Sequence, residues 1–449
     1  MTGNPVVTGL AVAAPIGLCL ENYWSAARAA RHGIRPLSPG RLPASASVLV
    51  APFDEIEPSE HLPGRLISET DWITQVTLIG VDCAFADARV QPSELPPYGA
   101  GVVMTAPVTG GPGAVERREP GRPGEAGPSD PGTTPLVSLP ALSAAHIAAR
   151  FGLKGPGSVI TAGQTGGLDA VGHARRSVRS GATLMVAGGF DSPFGARGWL
   201  ATQASGRLTR GDRPARGYRP FDGAADGHVP GEGGAMLLLE DAGHARRRKA
   251  PQIYGEIAGY ATAFDPAPGR GRASGLQRAI ERALADAGLE PDRIDAVMAD
   301  AAAVPELDRA EAEAVTKVFG PYGVPVTAPK SLTGRLDGGA GMLDLAAAFL
   351  SMRHGLIPPT ANVRPSPDYD IDLVTSPREA RLGAVLLLAR SPGGFNSALV
   401  VTPAPPGHPA VRPHLRPRPT PPHVPHPPPA PHQAGPHRWG RNRTEGEAP

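Results

Sequence analysis

The stretch Ser158-Val-Ile-Thr-Ala-Gly-Gln164-Thr-Gly-Gly-Leu-Asp-Ala170 constrains the fold more than any other part of the chain. Val159 and Ile160 read as a short buried strand, and Ala162 and Gly163 as a tight turn. Leu168, Val171, Ala174 and Val178 then recur at helical spacing. A residue on such a strand-to-helix turn stands at a helix N-terminus, where free N–H groups and the helix dipole favour negative charge. Acyl-transfer chemistry places its nucleophile there, because a thiolate is stabilised and the next backbone N–H can serve an oxyanion. Here the position carries Gln164. An amide donates and accepts hydrogen bonds but offers no usable nucleophile. Gln is not a favoured N-cap residue either, so merely ending a strand explains it poorly.

The 449 residues suffice for two packed units. A net charge of +2 gives no electrostatic case for nucleic acid or for a membrane surface. Two cysteines, Cys19 and Cys83, make no disulfide scaffold and point to a reducing compartment. Each reads as a small buried or loop residue rather than a catalyst. No run approaches about 18 uninterrupted apolar residues, and the N-terminus lacks a basic-then-apolar segment, so the expected location is cytoplasmic.

Along the chain, strands are expected at residues 5–15, 99–106, 182–191, 230–240, 253–263 and 295–299. Helices are expected at 21–30, 71–86, 139–151, 306–319 and 343–354, the last two stopped by Gly320 and Gly355. Ser274 should cap a helix that runs to Ala287, stops at Gly288, and buries Leu276, Ile280 and Leu284. Glu232 reads as a buried structural carboxylate. Residues 107–136 are rich in Pro and Gly, which leaves room for a short turn at 114–119 but not for a long helix. Gly234-Ala-Met-Leu-Leu-Leu239 and Gly383-Ala-Val-Leu-Leu-Leu388 form a weak internal echo. From Pro403 onward Pro, His and Arg dominate without any period, as in a polyproline-like or disordered tail. Its histidines can bind metal only adventitiously.

Several further motifs accompany the Gln164 turn. They include Val7-Thr-Gly9, a helix with Asn22 and Trp24, a Gly33-Ile-Arg35 loop, Arg219-Pro-Phe-Asp222, Gly231-Glu-Gly-Gly-Ala235 and Gly393-Gly-Phe-Asn396. Over residues 5–402 the chain resembles the beta-ketoacyl synthases, and within them the chain length factors, or ketosynthase beta subunits, of bacterial aromatic polyketide synthases. The resemblance implies a thiolase-like α/β fold of two similar halves in a five-layered α-β-α-β-α arrangement. The halves would span 1–250 and 251–402, with a disordered tail at 403–449. A condensing member has Cys at the Gln164 position and two histidines that activate a malonyl group. Here Asp300 and Arg335 stand at the histidine positions, while Lys330-Ser-Leu-Thr-Gly334 and Asp308-Arg-Ala-Glu311 keep the family pattern. Arg stays protonated and is no base near neutrality. Asp300, with Arg335 and Lys330 nearby, would most simply form an ion pair rather than act in catalysis.

The resemblance implies a non-condensing subunit that pairs with a condensing ketosynthase alpha subunit. It would help to shape the tunnel for a poly-beta-ketone and so influence its length. The acyl groups would ride on the phosphopantetheine of an acyl carrier protein, and the chain itself would bind no cofactor or metal. The tunnel positions implied by register are Pro112, Val115 and Glu119, with Phe194 and Trp199 as further walls. The alternative is an autonomous malonyl-acyl carrier protein decarboxylase, in which Gln164 hydrogen-bonds the malonyl thioester oxygen. The missing nucleophile argues against an ordinary ketosynthase. Whether the chain is an enzyme by itself stays open at this point.

Overall fold

Apolar runs without helical period become the strands of one large sheet, and the amphipathic segments become helices on and between its faces. The computed structural model describes residues 3–38, 48–53, 56–96, 98–106, 141–267 and 274–404. The chain divides into a unit over Met1–Arg412 and another over Pro413–Pro449, and the described residues all fall in the first. The expected turn at 114–119 and the tail from residue 405 onward lie outside the described residues.

The first half supplies strands β1 (Val6–Ala13), β2 (Ala100–Thr105), β3 (Gly157–Ile160), β4 (Leu184–Asp191) and β5 (Gly233–Glu240). Its helices are α1 (Trp72–Ala88), α2 (Ala141–Phe151) and α3 (Gly166–Arg179). The second half supplies β6 (Gly255–Phe264), β7 (Ala296–Met298), β8 (Pro325–Thr327), β9 (Val385–Ser391) and β10 (Phe395–Thr402). Its helices are α4 (Gly275–Ala287), α5 (Pro305–Phe319) and α6 (Gly338–His354). In the first half the spatial order is β1-β5-β4-β2-β3, and in the second it is β6-β10-β9-β7-β8. Each order runs first, fifth, fourth, second, third strand of its half. The pairings match as well: β1/β5 and β4/β5 are antiparallel, as are β6/β10 and β9/β10. The remaining pairs β2/β4, β2/β3, β7/β9 and β7/β8 are parallel. Val6 opposite Glu256 and Val7 opposite Gly255 join the halves into one sheet. The short strand Asp372–Leu373 adds to the β8 edge.

Alternation along the strands sorts side chains between layers. Leu184 and Val186 of β4 pack with Val81 and Phe85 of α1, whereas Met185 and Ala187 face the other way, with Leu168 of α3. In β9, Leu386 and Leu388 pack with Ile280 of α4, while Val385 and Leu387 join Phe349 of α6. Helices α3 and α6 thus form a middle layer between the two half-sheets, with α1 and α2 outside one and α4 and α5 outside the other. This is the thiolase-like five-layered arrangement.

Four sequence expectations need correction. Helix α6 begins at Gly338 rather than 343, because its first-turn glycines are packing residues. A Cβ on Gly338 would meet Thr105 Oγ1 at 2.0 Å, and one on Gly341 would meet Leu168 at 3.0 Å. Strand β3 is half-exposed rather than buried, since it lies at a sheet edge. The Gly234 and Gly383 echo pairs β5 with β9, which are the fifth and fourth strands of their halves, so it reflects apolar strand composition rather than the repeat. Cys83 is exposed on α1 rather than buried, whereas Cys19 lies in a loop as expected.

The cap at Ser274 forms as expected: its side chain accepts from Gln277 N, and Gly288 ends α4 in the left-handed region. More depends on Gly167, where a Cβ would come within 2.2 Å of the Gly338 carbonyl oxygen. Gly167→Ala is expected to destabilise the protein by about 1–3 kcal/mol through overpacking, despite a gain in helix propensity of about 1 kcal/mol. Urea unfolding measures this; an unchanged midpoint would mean that α3 and α6 separate freely.

Candidate functional site

The strand-to-helix turn that carries Gln164 is built from both halves. Gly163 has φ +61°, a left-handed conformation natural to glycine, and it opens a single 3₁₀ turn over Gly163–Thr165 before α3. Ser391, at the end of β9, clamps this elbow. Thr165 N donates to Ser391 Oγ at 2.9 Å, and Ser391 Oγ donates to the Ala162 carbonyl. Thr165 Oγ1 also donates to Ala162 O at 3.0 Å. Gln164 is half-buried and lines a cavity of about 530 Å³ together with Asp300, Arg335, Asp191, Asp337 and His228.

Asp300 follows β7 and Arg335 follows the one-turn helix Lys330–Thr333. Their side chains form a buried ion pair. Arg335 Nη2 donates to Asp300 Oδ2 at 2.8 Å and to Oδ1 at 3.0 Å, and Nη1 donates to the Asp300 carbonyl at 2.7 Å. Arg390 N adds a bond to Asp300 Oδ1 at 3.0 Å. Burial favours the protonated acid, but Arg335, then Lys330 and Arg390, hold the Asp300 carboxyl below its ordinary range. Burial also opposes charge on Arg335; Asp300 and Tyr218 outweigh it and keep the guanidinium protonated. Lys330 turns elsewhere. Its Nζ pairs with Asp344 Oδ2 at 2.6 Å and donates to the Ala299 carbonyl.

Two buried carboxylates hold the loop after β7. Glu311 accepts from Asp300 N at 2.6 Å and from Ala301 N at 2.8 Å. Asp308 accepts from Ala303 N at 2.9 Å and from Phe221 N at 2.8 Å. These bonds explain the Asp-x-x-Glu spacing on α5: one helical turn aims both side chains at a single loop. They also hold Ala301 and Ala303 at φ +52° and +56°, left-handed conformations that cost a side-chain-bearing residue about 1–2 kcal/mol. Burial drives the Asp308 carboxyl up to about 7. Glu232 is fully buried, and Trp72 Nε1 donates to it at 3.3 Å.

Phe194 and Trp199 are not among the residues that line the cavity. Trp199, on the helix Ala196–Ala204, is fully buried with its ring 6.3 Å from that of Phe194, and Ala201 and Thr202 of that helix line the cavity. Pro112, Val115 and Glu119 lie outside the described residues. Sequence reasoning missed Asp191, Asp337 and His228. Asp191 ends β4, and Gly339 N donates to its Oδ2 at 2.5 Å. Burial first, and Asp337 second, raise the Asp191 carboxyl to about 8. Burial and the Arg335 charge depress His228 to about 3, so its imidazole is neutral at physiological pH. Among the described residues, no group of three or more His, Cys, Asp or Glu is placed to hold a metal ion. No described helix is long and apolar enough to cross a membrane. The cavity therefore presents an amide, a locked ion pair, the neutral groups of Asp191 and His228, and further charged side chains in Arg207, Arg390, Asp265 and Asp337.

The family model for the beta-ketoacyl synthase N-terminal domain matches residues 4–245, and that for the C-terminal domain matches 254–364. The chain is 45% identical over 406 residues to the tetracenomycin polyketide synthase ketoacyl synthase beta subunit of Streptomyces glaucescens, covering 88% of this chain and 97% of that protein. Among solved structures, the ishigamide ketosynthase/chain length factor matches with a TM-score of 0.73 at 26% identity, over 90% of this chain and 100% of that one. A beta-ketoacyl synthase from Burkholderia phymatum has the same fold, with a TM-score of 0.80 at 23% identity over 90% of this chain and 100% of that one.

Two outcomes are expected of the buried charges. Arg335→Leu should cost about 3–5 kcal/mol, because Asp300 is left buried and unpaired. Combining it with Asp300→Leu should recover at least about 1 kcal/mol of that loss in urea unfolding; strict additivity would show that the pair is uncoupled. For Asp191 the folded acid titrates near 8, against an ordinary 3.8. Between those values the unfolded chain releases a proton that the folded chain retains, so stability falls as pH rises through the window. Asp191→Asn removes that fall. The variant should gain melting temperature relative to wild type from pH 5 to pH 8.5, and parallel pH curves for the two proteins would refute the assignment.

Proposed function

The chain belongs to the beta-ketoacyl synthase family, in the branch of ketosynthase beta subunits or chain length factors, and from that premise we propose that it is the non-condensing partner of a condensing ketosynthase alpha subunit in type II polyketide synthesis. In that role it helps to set the length of a poly-beta-ketone whose growing end is carried on the phosphopantetheine arm of an acyl carrier protein. Residues 1–250 and 251–402 serve as the two halves of the repeat, with 403–449 appended. One observation carries the reading: the acyl-transfer elbow is intact and clamped from both halves, yet it holds Gln164 beside an Asp300–Arg335 pair that neutralises itself. Condensation needs a thiolate and two imidazoles, and the retained elbow without them fits a shaping role better than a reacting one.

The experiment supplies purified chain with malonyl-loaded carrier protein, alone and with a cognate alpha subunit. Alone, the chain is expected to release no carbon dioxide. With the alpha subunit it should elute as a one-to-one heterodimer, and the pair should make polyketide. Carbon dioxide release by the chain alone, lost in Gln164→Ala, would favour the decarboxylase instead. Gln164→Cys sharpens the test. The helix N-terminus should activate the introduced thiol toward an acyl donor or a thiol-directed inhibitor. Positioned acid–base groups contribute about 10²–10⁴-fold, and Asp300 and Arg335 do not supply them, so Gln164→Cys should be labelled yet make no ketide unaided. Elongation by the single mutant alone would overturn the assignment of Asp300 and Arg335.

A further inference from the structure

We propose that Ser391 is the positioning residue of the Gln164 turn, and that with Asp191 it forms a reciprocal exchange in which each half of the fold fixes a cavity turn of the other. This rests on reading the Gln164 turn as an acyl-transfer elbow. Ser391 is the last residue of β9 and Asp191 the last residue of β4, the fourth strands of their halves. Ser391 belongs to the second half and accepts from Thr165 N, just before α3 of the first half. Asp191 belongs to the first half and accepts from Gly339 N, in the first turn of α6 of the second half. Because the halves share one topology, the two contacts are counterparts. In each, a side chain at the end of a fourth strand takes a backbone N–H at the start of the opposite middle-layer helix. The Asp337 backbone also bonds Asp191.

The Ser391 hydroxyl brackets Gln164. It accepts from Thr165 N at 2.9 Å on one side and donates to the Ala162 carbonyl on the other. Its oxygen also lies 3.3 Å from Thr165 Oγ1, and a Cβ on Gly163 would stand 3.1 Å from it. Accepting and donating at one atom requires a hydroxyl: an alanine does neither, and an ionised carboxylate only accepts. The tether matters because the turn is a single 3₁₀ turn over Gly163–Thr165, whose hydrogen-bond geometry is poor. Ser391 and Gln164 both line the cavity, but Ser391 acts through Gln164, which it holds at the start of α3. Asp191 does the same for Asp337 and Gly339, beside Arg335. The two turns that border the cavity are thus each set by a strand end of the opposite half.

The test uses the full-length chain, with Gln164→Cys as the probe of pose. Held at the α3 N-terminus, the introduced thiol titrates below its ordinary value of about 8.5, and this effect falls off within one helical turn. The pH profile of alkylation by iodoacetamide reads it. Adding Ser391→Ala should raise the apparent thiol pKa by about half a unit or more, and adding Ser391→Thr, which keeps the hydroxyl, should leave it where Gln164→Cys alone puts it. Hydrogen exchange in the chain with native Gln164 gives a second reading that does not depend on Gln164→Cys folding. Ser391→Ala should speed exchange over residues 162–166 about tenfold, as one lost hydrogen bond implies, and spare residues 337–341. Asp191→Ala should do the reverse. A thiol pKa unmoved by Ser391→Ala, or exchange that rises in both segments or in neither, would overturn the proposal while leaving the elbow reading intact. A Gln164→Cys thiol that titrates no lower than a free cysteine would overturn both.

Discussion

The close approach of α3 and α6 is the constraint on which the rest of the molecule depends. Sandwiched between two half-sheets, α6 has almost no solvent face and cannot use a polar stripe to set its rotation, whereas α3 exposes only a narrow polar edge that includes Arg176 and Arg179. Nearly all of α6 is buried, from Gly338 to Ser351. Register is set instead by glycines that let backbone meet backbone, with the Gly338 carbonyl lying where a Gly167 side chain would be. The contact falls in the first turn of both helices. It therefore brings two helix N-termini together, one from each half, along with the turns that precede them. Gln164 stands just before α3, and Arg335 and Asp337 just before α6. The cavity is a consequence of this meeting, and Ser391 ties it to the end of β9.

Charges at such a junction persist only in arrangements that satisfy them. Arg335 meets Asp300 in a two-toothed contact and also takes its carbonyl, and Lys330 meets Asp344. Glu311 and Asp308 are consumed by backbone N–H groups of one loop and of Phe221. Asp191 and His228 take the other route and stay neutral, one by holding a proton and one by refusing it. The loop after β7 is strained at Ala301 and Ala303, and the Asp308 and Glu311 bonds counter that strain. The junction is thus filled by a polar network rather than by an apolar plug.

Much of this was legible in the chain. The Gln164 elbow, the Ser274 cap, the Gly288, Gly320 and Gly355 stops and most strands follow from local steric and hydrogen-bonding rules that act over a few residues. The family resemblance carried by the motifs around Gln164, Asp300 and Arg335 implied that all three share one site, and they line one cavity. Less was legible where a residue's meaning depends on a distant neighbour. Gly338 to Gly341 fell outside the expected helix because glycine disfavours isolated helix, and only the packing of α3 against them makes glycine necessary. Trp199 stands on the helix Ala196–Ala204, and only the fold shows that this helix buries Trp199 and puts Ala201 and Thr202 against the Gln164 cavity.

The sequence by itself determined that Gln164, Asp300 and Arg335 occupy the motif positions where the resemblance implies a thiol and two imidazoles, because residue identity needs no coordinates to be seen. It also determined the strand and helix content, because periodicity and caps are local. Only the tertiary structure decided which buried groups carry charge. Asp191 and His228 look unremarkable in the chain, since protonation depends on desolvation and on partners such as Asp337 and Arg335 that lie far away in sequence. That information exists only once the two halves close on each other.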